Sequence, residues 1–296
     1  MKLKLLLMLM LLLPMLAILQ SSCESKPKEA YAVLEDSTLT FYYDDKKPQG
    51  AYDVVNLIKN SYGFGCKKEW DSVRNHIKTI VFNQSFNNFR PKNCSHWFND
   101  CKNLTSIIGL KENLNTSEVT DMSSMFSLCL RLENLDVSGF NTKNVTDMSH
   151  MFFGCQKVTS LDVSCFNINK VTNMEYMFYG CQKLTSLDVS GFYTGNVTDM
   201  CCMFSECYNL TSLDVSGFIT DNVLRTAGMF KWCENLKTIY VGDGWNTNSV
   251  IWGKDMFNNC PNLIGGEGTK YDENHTDASY AHIDGGESNL GYFTKK

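Results

Sequence analysis

The stretch Asn144-Val145-Thr146-Asp147-Met148-Ser149-His150-Met151-Phe152-Phe153-Gly154-Cys155-Gln156-Lys157-Val158-Thr159-Ser160-Leu161-Asp162-Val163-Ser164-Cys165-Phe166 decides the fold, because it recurs. Its Met-Phe pair returns at Met125-Phe126, Met177-Phe178, Met203-Phe204, Met229-Phe230 and Met256-Phe257. A cysteine follows three residues after each Phe, at Cys129, Cys155, Cys181, Cys207, Cys233 and Cys260. The first five pairs lie 26 residues apart and the last gap is 27; Trp97-Phe98 with Cys101 is a degenerate earlier copy. A fixed period of this length predicts a solenoid, in which each unit buries its apolar face only against its neighbours.

Within the unit, Val145, Met148, Met151, Phe152 and Cys155 step by three and four, the stripe of a short helix. Thr146 and Asp147 stand where they would cap its start, and Gly154 where it would end. The spacing then tightens to two at Leu161-Asp162-Val163, the mark of a short strand. The predicted class is therefore α/β: a leucine-rich-repeat-like solenoid with one short helix and one short parallel strand per repeat, capped at both ends. The strand pattern Leu-x-x-Leu-x-Val-x-x-Phe carries Phe where an asparagine usually follows, which predicts that the usual side-chain amide ladder is missing.

Working outward, rungs continue upstream to Ile77-Lys78-Thr79-Ile80 and downstream through Leu236 to Val241, with a partial copy at Pro261-Asn262-Leu263. About eight rungs at about 4.8 Å would make a sheet roughly 35 Å long. The solenoid is placed at residues 77–264. Residues 31–76 read as an N-terminal cap, with a hairpin turning at Glu35-Asp36-Ser37 and a helix from Tyr52 to Asn60; residues 265–296 read as an irregular C-terminal cap.

The first 22 residues carry Lys2 and Lys4, an apolar run from Leu5 to Leu19, and then Gln20-Ser21-Ser22-Cys23. This describes a secretory signal peptide over 1–22, too short in its apolar core to cross a bilayer as a helix. Small residues ending in cysteine point to lipidation at Cys23, with residues 23–30 as anchor and tether. The formal net charge of −5 becomes −7 once the two leader lysines are removed (−5 − 2), which disfavours nucleic acid and electrostatic docking to anionic lipid.

Candidate chemistry is sparse. Phe126, Cys129, Phe152, Cys155, Phe178, Cys181, Phe204, Cys207, Phe230 and Cys233 read as a structural ladder of buried side chains. Stacked cysteines have parallel Cβ directions, poor for a disulfide, and no Cys-x-x-Cys spacing suggests zinc. Asp136, Asp162, Asp188 and Asp214 fall one per rung on the outward face of the strands. Three readings stay open for them: bonds to nearby Ser and Thr hydroxyls, an acidic stripe for a partner, and calcium bridging rungs. His275, Asp277, His282 and Asp284 cluster near the end but match no metal-protease or triad spacing. No phosphate loop, nucleophile elbow or paired catalytic carboxylates occur, so no enzyme activity, cofactor or metal is expected.

The unit Asn-Val-Thr-Asp-Met-x-x-Met-Phe-x-x-Cys-x-x-Leu-x-x-Leu-Asp-Val-Ser-x-Phe resembles the BspA-like leucine-rich-repeat surface proteins of Bacteroides and Prevotella relatives. Related 26-residue repeats occur in mycoplasma surface lipoproteins. Tyr280 to Gly286, followed by Gly291-Tyr292-Phe293-Thr294, is similar to the end of the same family. The resemblance implies a cell-surface lipoprotein, lipid-anchored in an outer membrane, with secreted or periplasmic placement as the alternative. It implies an adhesin that binds an extracellular protein of host matrix or other bacteria, touching the membrane only through its anchor. The alternative is a glycan- or nutrient-binding lipoprotein, with Tyr193, Tyr208, Trp232, Tyr240 and Trp252 as stacking platforms.

Overall fold

The computed structural model describes residues 26–55, 58–59, 66–67 and 69–296. The leader read at 1–22 and the lipidation residue Cys23 lie outside the described residues, as does the Cys66 side chain. No helix among the described residues is long and apolar enough to cross a membrane.

Alternating apolar residues between Ala30 and Phe41 form β1 (Glu29–Glu35) and β2 (Thr38–Asp44), an antiparallel hairpin that turns through Asp36 at φ 51°. Among the described residues, the helix predicted from Tyr52 to Asn60 is not formed. Instead β3 (Tyr52–Asp53) pairs with β1, and β4 (Ile58–Lys59) pairs with β5 (Cys66–Lys67). In β3 the two side chains face opposite sides of the sheet, a period-two arrangement that a short apolar pattern does not distinguish from a helix. β6 (Thr79–Phe82) and β7 (Ser106–Ile108) then add in parallel, giving a sheet of order β3-β1-β2-β6-β7. Phe41 packs against Trp70, Phe82, Phe86, Trp97 and Phe98, so an aromatic cluster closes the first rung.

From residue 92 onward the 26-residue units stack in parallel. Isolated bridges run Asn93–Asp121–Asp147–Asn173–Asp199–Arg225–Trp252, one per rung. Every Met, Phe and Cys of the ladder is buried to 0 or 1% exposure, in one continuous core. At the far end β8 (Ser212–Val215), β9 (Thr238–Val241) and β10 (Phe293–Lys295) form a parallel sheet in the order β10-β9-β8.

The helix expected in each repeat is absent; the α-helix among the described residues is one turn, Leu110–Asn113, outside the Met-Phe segments. Val145 to Cys155 is instead a chain of overlapping turns. Met151, Phe153 and Cys155 donate their N–H groups to the carbonyls of Met148, His150 and Phe152, three residues back. The alternate N–H groups of Met148, His150, Phe152 and Gly154 reach the carbonyls of Asn173, Glu175, Met177 and Tyr179 on the next rung. A left-handed residue every fourth position makes this geometry: His150 (φ 57°) and Gly154 (φ 68°), then Tyr176 (φ 56°) and Gly180 (φ 68°). A run of α-helix cannot contain such residues, because every residue of an α-helix needs a negative, right-handed φ.

One regular strand per repeat is a second expectation that the structure changes. Regular strands occur toward the two ends, and the middle segments at Leu135, Leu161 and Leu187 are extended without a continuous ladder. Ring spacing differs between the two sides of the core. Phe126, Phe152, Phe178 and Phe204 stack at centroid separations of 5.9, 5.6 and 5.7 Å, whereas Phe140–Phe166 and Phe192–Phe218 stand 6.4 and 6.5 Å apart. The same 6.5 Å separates Phe218 from Trp245, whose rungs do pair as β8 and β9, so ring spacing does not decide where the ladder forms.

The amide ladder predicted to be missing is present at other positions. Asn209, Asn235 and Asn262 donate their side-chain Nδ2 groups to the carbonyls of Gln182, Tyr208 and Glu234 on the preceding rung. These asparagines follow the buried cysteine rather than the strand, which is why the strand motif gave no sign of them.

Candidate recognition face

Asp136, Asp162 and Asp188 are exposed, and Asp214 is partly covered. Alternation sends Leu135 and Val137 into the core and leaves the residue between them outside. Each carboxylate is fixed by its own chain. Ser138, Ser164 and Ser190 donate both backbone N–H, at 3.0 Å, and hydroxyl, at 2.6–2.7 Å, to Asp136, Asp162 and Asp188. Asp214 accepts from the Ser216 N–H at 2.9 Å and pairs with Lys296.

Those serine bonds hold the carboxyls of Asp136, Asp162 and Asp188 below the usual aspartate range. At Asp214 burial pushes the other way, but the bonds from Lys296 and Ser216 prevail and its pKa is also lowered. The four groups are therefore anionic at neutral pH, oriented alike and repeated once per rung. Lys111, 3.9 Å from Asp136, and Lys296 beside Asp214 bound the column.

A second polar face runs along the turns. The hydroxyls of Thr146, Thr172 and Thr198 donate to the carbonyls of Thr120, Thr146 and Thr172 on the preceding rung, at 3.1–3.2 Å. Beside them Asp121, Asp147, Asn173 and Asp199 each accept from the backbone N–H two residues on. Asp147 therefore caps a turn rather than the helix its position suggested. Farther along the same face, His150 stacks on Tyr176 and Phe153 on Tyr179, both at 4.8 Å.

The ladder cysteines do more than fill space. The thiols of Cys155, Cys181, Cys207 and Cys233 point at the carbonyls of Phe126, Phe152, Phe178 and Phe204, at 3.0–3.3 Å. Burial pushes the Cys155 and Cys207 thiols up to about 12, so they stay protonated and able to donate. Among the described residues, no three His, Cys, Asp or Glu side chains come together as a metal set. His275 and Asp272 approach to 3.8 Å, while Asp284 lies apart from them, buried and bonded to Thr269, Glu267 and Gly286.

Of the five aromatic platforms suggested by sequence, Tyr193, Trp232 and Trp252 are exposed, whereas Tyr208 and Tyr240 are partly covered. Sequence reasoning missed the Arg225 guanidinium, 4.7 Å from the centre of the Trp252 ring, and the open cavity lined by Thr247, Lys254, Asp277 and Ser279. The available signal was the departure of Leu224-Arg225 and Ile251-Trp252 from the Thr-Asp consensus of earlier rungs.

Comparison with known proteins gives little beyond the repeat. No curated protein matches the chain. A leucine-rich repeat protein from Bacteroides ovatus is similar over 80% of both chains at 14% identity, with a TM-score of 0.25, too low to carry an argument. A family model described as "Mycoplasma protein of unknown function, DUF285" matches residues 92–188 and 154–271. These two matches together span 92–271, more than half of the sequence, and the chain belongs to that family.

Proposed function

We propose that this protein is a surface adhesin: a lipid-anchored solenoid that binds an extracellular macromolecule through the exposed face of its stacked repeats. The observation that carries the reading is the aspartate column, four carboxylates held in one orientation by the same serine turn on successive rungs. A partner that meets one rung meets the next in the same geometry, so weak contacts add through avidity. The fixed carboxylates lose little conformational freedom on binding, which favours association. The reading assigns no catalysis and no cofactor to the chain, and its partner is a protein of host matrix or of other bacteria.

The test replaces Asp136, Asp162, Asp188 and Asp214 with asparagine. Asparagine retains the Oδ1 acceptor that the serine turn uses, so the fold is expected to survive. Binding of the anchored protein to immobilised fibronectin and fibrinogen should fall at least about tenfold, with an unchanged circular dichroism spectrum. Equal binding by the variant and the parent would overturn the role of this face. Protease shaving of intact cells should release the protein; resistance would refute surface placement.

A further inference from the structure

The column of buried rings on the strand side does not end in phenylalanine. Phe140, Phe166, Phe192 and Phe218 are each at most 5% exposed. The next ring along, Trp245, stacks on Phe218 at 6.5 Å and is partly exposed. Two further contacts hold it. Its Nε1–H donates to the Ala281 carbonyl at 2.9 Å, and it meets Phe293 edge to face at 5.0 Å. The indole is therefore fixed at the end of the core with part of its surface in water.

An open cavity of about 360 Å³ adjoins it. Trp245, Thr247, Asn248, His282, Ile283 and Asn289 are among the residues that line this one space. Its volume falls within the range of small-ligand sites. No Asp, Glu, Lys or Arg side chain takes part in the lining.

The main chain around the cavity already has its partners. The N–H and the carbonyl of Asn246 both bond the Thr220 hydroxyl, and the Asn248 N–H donates to the Asn246 side chain. The Thr247 carbonyl accepts from Val250, and that of His282 from Phe293. The Asn289 N–H donates to the Gly286 carbonyl, and the Asn289 carbonyl accepts from Gly285. An extended peptide would find no free strand edge here to pair with.

The side chains are in the opposite state. Among the described residues, the Asn248 and Asn289 amides and the Thr247 hydroxyl make no hydrogen bond within the protein. The His282 Nδ1 lies 3.0 Å from the Ile283 carbonyl, which engages one ring nitrogen and leaves Nε2 uncommitted. Each amide offers a donor and an acceptor side by side, and the hydroxyl does both. Sugar hydroxyls likewise donate and accept, and the C–H groups of a pyranose suit an aromatic surface. An uncharged lining suits an uncharged ligand.

We propose that this cavity is a saccharide-binding site, with Trp245 as the aromatic wall and the Asn248 and Asn289 amides, the Thr247 hydroxyl and the His282 imidazole as hydroxyl partners. The cavity is open to solvent, so it takes a short part of a longer neutral chain. The site is separate from the aspartate column and stands or falls without it.

The test titrates the full chain with neutral hexasaccharides of the cello, malto, xylo, manno and N-acetylchito series, by calorimetry and tryptophan fluorescence. At least one series should bind saturably. The double variant Asn248→Ala with Asn289→Ala changes exposed side chains without bonds in the protein, so its thermal melt should match the parent. Its affinity for that sugar should fall at least about tenfold, the loss expected for two hydrogen bonds. Trp245→Phe keeps a ring against Phe218 and should weaken binding about threefold or more. Trp252→Phe, outside the cavity, and the four-aspartate variant should bind as the parent does. The proposal is overturned if no series binds at 10 mM, a concentration of about the weakest useful affinity. It is equally overturned if the double variant binds as well as the parent, or if acetyl-tetraalanine amide binds and no sugar does. Loss of matrix binding in the four-aspartate variant with sugar binding intact would separate the two sites.

Discussion

The two sides of one rung behave differently. On the turn side, four consecutive alternate N–H groups reach the next rung, and the Phe rings of the core stack at 5.6–5.9 Å. On the strand side the rings stand 6.4–6.5 Å apart, and regular pairing survives only near the ends. The side that resembles a strand in sequence therefore contributes less of the register than the side that resembles a helix. Backbone bonds set the spacing where every second peptide turns toward its neighbour, and the opposite edge carries fewer of them.

The largest expected effect tests this contrast in the core. Phe178→Ala removes a ring stacked on both sides, by Phe152 and Phe204, and should cost about 4 kcal/mol in chemical denaturation. Phe192→Ala removes a ring stacked on Phe218 and should cost about 3 kcal/mol. Equal losses, or the reverse order, would break the comparison.

A second experiment sharpens it at the C-terminal end, where Asp284 ties the strand-side cap together. Burial alone would raise its pKa, but the hydroxyl and N–H of Thr269 and the N–H groups of Gly286 and Glu267 lower it to about 2. A depressed carboxylate stabilises the fold fully above its unfolded value of about 3.9, and that stability is lost as pH falls toward 2. Between pH 5 and 2 the parent should therefore lose about 2 kcal/mol through this group, and Asp284→Asn should flatten that part of the curve. An unchanged acid transition in the variant would contradict this role. Asp136, Asp162 and Asp188 act with the same sign, since their pKa values are also lowered.

The smallest effect concerns the thiol bonds of the turn side. Cys181→Ala removes both the sulfur and its bond to the Phe152 carbonyl, and should cost about 1–2 kcal/mol. Cys181→Ser keeps a donor at that carbonyl, so thermal melts should place it above the alanine variant. If serine proves the worse replacement, the cysteine acts by its apolar volume alone.

Much of this architecture is readable from residue spacing. The period, the buried Met-Phe-Cys ladder and the outward aspartates follow from which side chains recur and how often. The helix that spacing predicts in each repeat is replaced by turns for a clear reason. Overlapping turns with a left-handed residue every fourth position bring Val145, Met148, Met151, Phe152 and Cys155 to one side, as a helix would. Gly154 and Gly180 mark one left-handed column, but His150, Tyr176, Glu206 and Leu128 occupy such positions without any glycine to reveal them. The cavity lined by Gly253, Lys254 and residues 277–279 is hidden for another reason: it joins a rung to a segment distant in sequence, which no local pattern encodes.

Sequence by itself determined the stacking of nearly identical units, since a unit with so much apolar surface is stable only against its own copies. It also determined which residues point inward, because burial repeats with the period. Only the tertiary structure decided how the rungs are joined. Peptide groups must find hydrogen-bond partners, and whether those lie in the same turn or on the next rung depends on backbone angles that side-chain spacing does not specify. The same choice set the end of the ladder at Gly253 and the cavity that Gly253 and Lys254 line with residues 277–279.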